Sequence, residues 1–171
     1  PAGLTGLWRF QNSASFGAAT FGSDITFNTT YGTLMLGPWT DIGATWAYNT
    51  IYSDGSVFQE QSWNYMIVSH GMSANGGGSY VNQYTVAIDY KQGSLNALWN
   101  GNYYNSLFQT SMANANDGDL FIKGPDYANS VIGTGDTGYS TLTFDSSAWH
   151  RIVWSDDNGN FFRVYVDGAL Y

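Results

Sequence analysis

Two carboxyl groups set roughly 5 to 5.5 Å apart across a sugar are what a retaining glycosidase requires. This chain offers a single glutamate, Glu60 in Phe58-Gln59-Glu60-Gln61-Ser62. Asp54, Asp89, Asp117 and Asp119 show no pattern beyond that of turn residues, so no acid/base pair is defined. His70 and His150 are far apart, and neither sits in a G-x-S-x-G or H-E-x-x-H frame. His150 reads as structural. His70 ends an expected strand beside a glycine-rich loop, where a satisfied strand-end histidine and a site role both fit.

Two kinds of binding chemistry remain. Asn114, Asn116, Asp117 and Asp119 place four oxygen donors within a short stretch around a glycine. Calcium takes carboxylate and amide oxygens on such a turn, although the EF-hand order of ligands is not matched and an Asx-rich hairpin turn explains the same residues. Asp156, Asp157, Asn158 and Asn160 form a second cluster of this type, which the terminal hairpin alone accounts for. Sugar recognition needs flat aromatic faces for C–H groups and amides for hydroxyls. Trp46, Tyr48 and Tyr52 share one face of an expected strand, where core packing competes with binding. Trp99, Asn100, Asn102, Tyr103 and Tyr104 cluster about one expected loop, where exposure is the natural reading.

These groups must be carried by strands. Helical periodicity is absent over any useful window, while turn signals recur at a spacing of roughly 8 to 12 residues, as in a β-sandwich. Residues 149–155 and 161–168 are rich in aromatic and β-branched types and flank a five-residue loop, 156–160, with Asn-Gly at its centre. That is a hairpin signature, since glycine accepts the positive φ of the reversal. In the second strand Phe162, Val164 and Val166 fall on one face and Arg163 and Asp167 on the other. In the first, Ile152 and Trp154 oppose Trp149 and Val153, and a strand apolar on both sides belongs in the middle of a sheet. Further strands are expected over 21–28, with Phe21, Ile25 and Phe27 inward, and over 33–36, 45–52, 57–70, 84–91, 95–99, 106–112, 120–123, 131–132 and 140–144. Residues 71–79 read as a flexible loop.

A length of 171 residues with 43% hydrophobic content fits one domain, 1–171, with a substantial core. Net charge is −8, and the fixed cations are Arg9, Lys91, Lys123, Arg151 and Arg163 alone. Such a chain has no basic patch for a phosphate backbone or an anionic bilayer, which argues against nucleic acid and membranes as partners. The absence of cysteine excludes disulfides and thiol chemistry. No apolar run of membrane-spanning length is present. Scarce lysine, abundant Asn, Gly, Thr and aromatics, and a start at Pro1-Ala2-Gly3 that suits a processed terminus together fit a secreted, extracellular or cell-surface protein.

The W-H-x-x-V…V-Y-V-D-G pattern from Trp149 to Gly168 resembles the closing hairpin of laminin-G-like domains of the concanavalin A-like lectin/glucanase superfamily. Leu4-Thr5-Gly6-Leu7-Trp8-Arg9-Phe10 resembles the family's opening strand, and Tyr84-Thr85-Val86-Ala87-Ile88-Asp89-Tyr90-Lys91 its middle F-T-x-x-x-W-x-K strand, with Ile88 and Asp89 where the family has Ala and Trp. The resemblance implies an all-β, two-sheet antiparallel jelly-roll sandwich. It also implies further strands beyond Tyr171, so the chain is expected to be C-terminally incomplete: a fragment, a processed form, or a subunit whose open edge near residues 4–10 is completed by a neighbour. The Glu-x-Asp-x-x-Glu motif of the superfamily's glucanases is missing. The implied function is a non-catalytic module for carbohydrate binding or adhesion, with glycan or another extracellular protein as partner and calcium as cofactor in some members. A self-assembling filament or surface-layer subunit is the alternative, and a glycoside hydrolase a third.

Overall fold

The computed structural model describes residues 3–9, 17–28, 35–36, 50–51, 57–58, 65–91, 103–108, 120–124, 128–134 and 138–171. Among them are thirteen β-strands and no helix. The chain divides into two compact units, Pro1–Ala74 and Asn75–Tyr171.

In the first unit β1 (Thr26–Asn28) pairs antiparallel with β5 (Tyr65–Ile67), while β2 (Met35–Leu36), β3 (Thr50–Ile51) and β4 (Val57–Phe58) form a small sheet. The β2/β3 pair is parallel, a departure from the expected all-antiparallel pairing. The expected strand over 57–70 is two strands in different sheets, β4 and β5. The expected opening strand is, within residues 3–9, a single antiparallel bridge between Leu7 and Phe21. Ile25 is buried as expected, but Phe21 is 54% exposed. Its inward placement assumed unbroken alternation, and Gly22 interrupts this with φ +92° where an added Cβ would lie 2.5 Å from the Thr5 carbonyl oxygen.

The second unit is built from two antiparallel four-stranded sheets. One runs in the order β13 (Ala169–Leu170), β12 (Phe161–Val166), β11 (His150–Asp157), β6 (Gln83–Tyr90). The other runs β10 (Gly138–Tyr139), β9 (Val131–Thr134), β8 (Leu120–Gly124), β7 (Tyr103–Phe108). Alternation along the strands sends one row of each sheet into a shared core. Leu120, Ile122 and Ile132 come from one layer, Ile152, Trp154, Val164 and Val166 from the other, with Phe144 between them in sequence. Burying each such side chain contributes about 1.5–3 kcal/mol, so this row outweighs any single polar contact in the unit. Tyr84, Val86, Ile88 and Tyr90 extend the row along β6. The Phe108 and Trp154 rings lie 5.1 Å apart in a tilted pair.

As its two apolar faces imply, β11 is central, paired on one side with β12 and on the other with β6. The hairpin loop is shorter than the five residues expected. Asp156 pairs with Phe162 and Asp157 with Phe161, so only Asn158, Gly159 and Asn160 lie outside the ladder. The Asn160 N–H donates to the Asp157 carbonyl at 2.8 Å, with Gly159 at φ +87°. At the other end Asp167 (φ 50°) and Gly168 (φ 84°) make the two-residue reversal into β13 with both central residues left-handed, the geometry of a type I′ turn.

Two other expectations are corrected. Residues 140–144 do not form a strand: Ser140 Oγ accepts from the Leu142 N–H at 3.0 Å, a local turn that competes with a ladder, and Phe144 makes one bridge to Ser130. The hydroxyls of Ser130 and Ser146, both fully buried, share a hydrogen bond there at 2.7 Å. Tyr103 and Tyr104, expected in a loop, lie in β7 opposite Gly124 and Lys123.

Candidate functional site

The calcium candidates Asn114, Asn116, Asp117 and Asp119 lie outside the described residues, as do Trp46, Tyr48, Tyr52, Trp99, Asn100 and Asn102. Of the ligand-binding candidates only Tyr103 and Tyr104 have a described backbone, and β7 carries them at the edge of its sheet. No group of three or more His, Asp or Glu side chains among the described residues is arranged to hold a metal ion. Polar chemistry instead gathers at the two ends of β11.

At the start of β11, hairpin register carries His150, Arg151 and Asp167 together. Arg151 stands one step beyond the Ile152–Val166 pair, opposite Asp167, and its N–H donates to Asp167 Oδ1 at 2.8 Å. The second carboxylate oxygen of Asp167 meets His150 Nδ1 at 2.7 Å, and His150 Nε2 meets the Asp145 carbonyl oxygen at 2.6 Å. Both ring nitrogens therefore face acceptors, an arrangement that the imidazolium satisfies with two donated hydrogen bonds. Burial opposes the charge, but the Asp167 and Asp145 hydrogen bonds and the pull of both carboxylates outweigh it and raise the His150 pKa. The Arg151 N–H, then His150, hold the Asp167 carboxyl below its ordinary range. Asp145 is likewise lowered by the Ser147 hydroxyl and N–H, which donate at 2.6 and 2.9 Å. The ring also meets Phe144 edge-on at 5.2 Å.

Beside this clamp Arg151 forks onto Asp89, its direct partner on β6, with Nε and Nη2 each 2.8 Å from a carboxylate oxygen. This bidentate pair lowers the Asp89 pKa and raises that of Arg151. Chemically the cluster is a clamp. A general base needs a free ring nitrogen, and His150 has given one to a carboxylate and one to a carbonyl.

At the far end of β11 the network is one of amides. Asn75 Oδ1 accepts from the Asn82 and Gln83 N–H groups at 2.8 and 2.7 Å, and its Nδ2 donates to the Gln83 carbonyl at 2.7 Å. One side chain thus completes the edge of β6 and closes the turn through Gly76, Gly77 and Gly78, all at positive φ. This part of the glycine-rich stretch is a built turn where a flexible loop was expected, and it leaves Tyr80 79% exposed at its rim. The Asn158 N–H donates to the Asn82 carbonyl at 2.8 Å, and Gln83 Nε2 to Asp157 Oδ1 at 3.1 Å, so the turn is tied to the β11/β12 hairpin. Asp156 points toward the core edge. Burial raises its pKa, with a Tyr84 hydrogen bond opposing and the neighbouring Asp157 charge reinforcing. The Asx cluster at 156–160 is accordingly absorbed by strand ends and turn. His70 is exposed and its Nδ1 accepts from the Met72 N–H at 3.0 Å.

Neither cluster was singled out in sequence. His150 and Asp167 are seventeen positions apart, but counting one register step past Ile152 and Val166 on the hairpin places Asp167 opposite Arg151, the neighbour of His150. The Asn75 network had no comparable signal, because an asparagine before three glycines reads as loop composition. Comparison with protein-family models, characterised proteins and solved structures finds no match for this chain.

Proposed function

We propose that this chain is a non-catalytic extracellular module of the laminin-G-like kind, on a concanavalin A-like jelly roll, acting in carbohydrate binding or adhesion. The observation that carries the reading is the strand order β12-β11-β6, which sets the closing hairpin directly beside the strand resembling the family's middle one. Two facing antiparallel layers with one core are the framework such a module needs. The occupied ring nitrogens of His150 and the paired state of Asp89, Asp157 and Asp167 support binding over acid/base catalysis. Trp46, Tyr48, Trp99, Asn100, Asn102, Tyr103 and Tyr104 remain the proposed sugar contacts, and Asn114, Asn116, Asp117 and Asp119 the proposed calcium ligands. A glycan array probed with and without chelator tests this. Specific retention supports the module, with chelator sensitivity assigning calcium to it; an array on which no glycan retains the protein rejects it.

A further inference from the structure

The outer face of the β13-β12-β11-β6 sheet has a composition that the core row does not explain. β12 turns Phe161, Arg163 and Tyr165 away from the interior, opposite in sense to Phe162, Val164 and Val166. Two rows then cross the sheet. In one, Tyr165 stands opposite Val153, Val153 opposite Ala87, and Leu170 flanks Tyr165 from β13. In the next, Arg163 stands opposite Ser155 and Ser155 opposite Thr85, the two hydroxyls 3.0 Å apart. A partly exposed apolar row with an aromatic ring thus lies alongside a row of hydroxyls and one guanidinium.

Arg163 is the distinctive group. Its guanidinium carbon sits 4.3 Å from the Phe161 ring centroid, which orients the fork, and it has no carboxylate partner among the described residues. Arg151, on the same face, is already engaged by Asp89. In a chain with net charge −8 and five fixed cations, diffuse attraction does not favour an anion, so recognition of one on this face would depend on this fork. Its parallel N–H groups match a carboxylate.

We infer that this outer face binds a polysaccharide bearing carboxylate groups, a sugar ring lying on Tyr165 and its carboxylate accepting from Arg163. The inference rests on the glycan-binding reading above and goes beyond it, adding a contact surface on a different sheet from the one that carries Tyr103 and Tyr104 and naming the ligand class it takes.

The test is retention of the full chain on an immobilised polyuronate and on the same polymer after carboxyl reduction. Wild type, Arg163→Gln, Arg163→Lys and Tyr165→Ala are compared, with circular dichroism and unfolding midpoints to show intact folding. Wild type should prefer the polyuronate. Arg163→Gln should weaken retention by about tenfold, the scale of one charge-assisted hydrogen-bonded pair, Arg163→Lys should recover only part of it, and Tyr165→Ala should weaken binding to both polymers. Equal retention of wild type on both polymers overturns the carboxylate assignment. Unchanged retention of the Arg163→Gln and Tyr165→Ala variants overturns the face while leaving glycan binding standing. Failure of wild type on both, and on every array glycan, removes this inference and the reading beneath it together.

Discussion

His150 Nδ1 and the Asp167 carboxylate meet at 2.7 Å across the β11/β12 hairpin, and the same ring reaches the Asp145 carbonyl with its other nitrogen. One side chain thereby ties the segment before β11 to the turn after β12. The raised His150 pKa means that the folded protein holds the proton more tightly than the unfolded chain. The stabilisation is therefore complete below the unfolded value of about 6.5 and is lost as pH rises through the folded value. Thermal unfolding between pH 5 and 9 should show a midpoint that falls over that window in wild type. The fall should be absent in His150→Gln.

Asp156 titrates in the same thermodynamic sense, in the lower pH range of a carboxyl group. Burial and the Asp157 charge raise its pKa, so its ionised form costs stability once pH exceeds the unfolded carboxyl value. Asp156→Asn keeps a partner for Tyr84 and removes the charge. The unfolding midpoint should rise at pH 7, and the gain should vanish below the ordinary Asp value, where both proteins are neutral at this position.

Core burial, not surface pairing, holds the second unit together. Ile152 is fully buried, and Ile152→Ala should cost about 2–5 kcal/mol in denaturant unfolding. Asp89→Ala removes a bidentate ion pair, but both partners are more than half exposed, and exposed pairs contribute little. Its midpoint should stay within experimental scatter of wild type. A large loss for Asp89→Ala with a small one for Ile152→Ala would reverse this assignment.

Much of the second unit is legible in sequence where alternation is strict. The row Phe162, Val164, Val166 and the double-faced β11 follow from side-chain parity, and the Asp167-Gly168 reversal from turn chemistry. Legibility fails where pairing at a distance decides the outcome. Tyr103 and Tyr104 sit among asparagines and a glycine and read as a loop, yet the Gly124 and Lys123 partners on β8 draw them into a ladder. Leu4 to Arg9 has strand composition, but its one bridge depends on where the turn at Gly22 leaves Phe21. The polar clusters at the ends of β11 are legible only to the extent that register is: the hairpin implies the Asp167 clamp, whereas Asn75 joins β6 through side-chain hydrogen bonds that no spacing announces.

That Asn75 network makes a prediction of its own. Asn75→Ala removes the three side-chain hydrogen bonds to the Asn82 and Gln83 backbone that close the Gly76–Tyr80 turn, without touching the core. Amide hydrogen exchange should accelerate at Asn82 and Gln83, which lose their acceptor, and stay slow at Ile152 and Val164. Unchanged protection at Asn82 and Gln83 would show that the turn stands without the asparagine.

The most direct measurement combines binding and chemistry in one tube. Purified protein is incubated with polysaccharides, those that retain it are identified, and the polymers' chain length and reducing ends are then followed over time. A non-catalytic recognition module retains at least one polysaccharide and leaves its length unchanged. Passage through every polymer without retention, or retention followed by shortening of the bound chain, would contradict it.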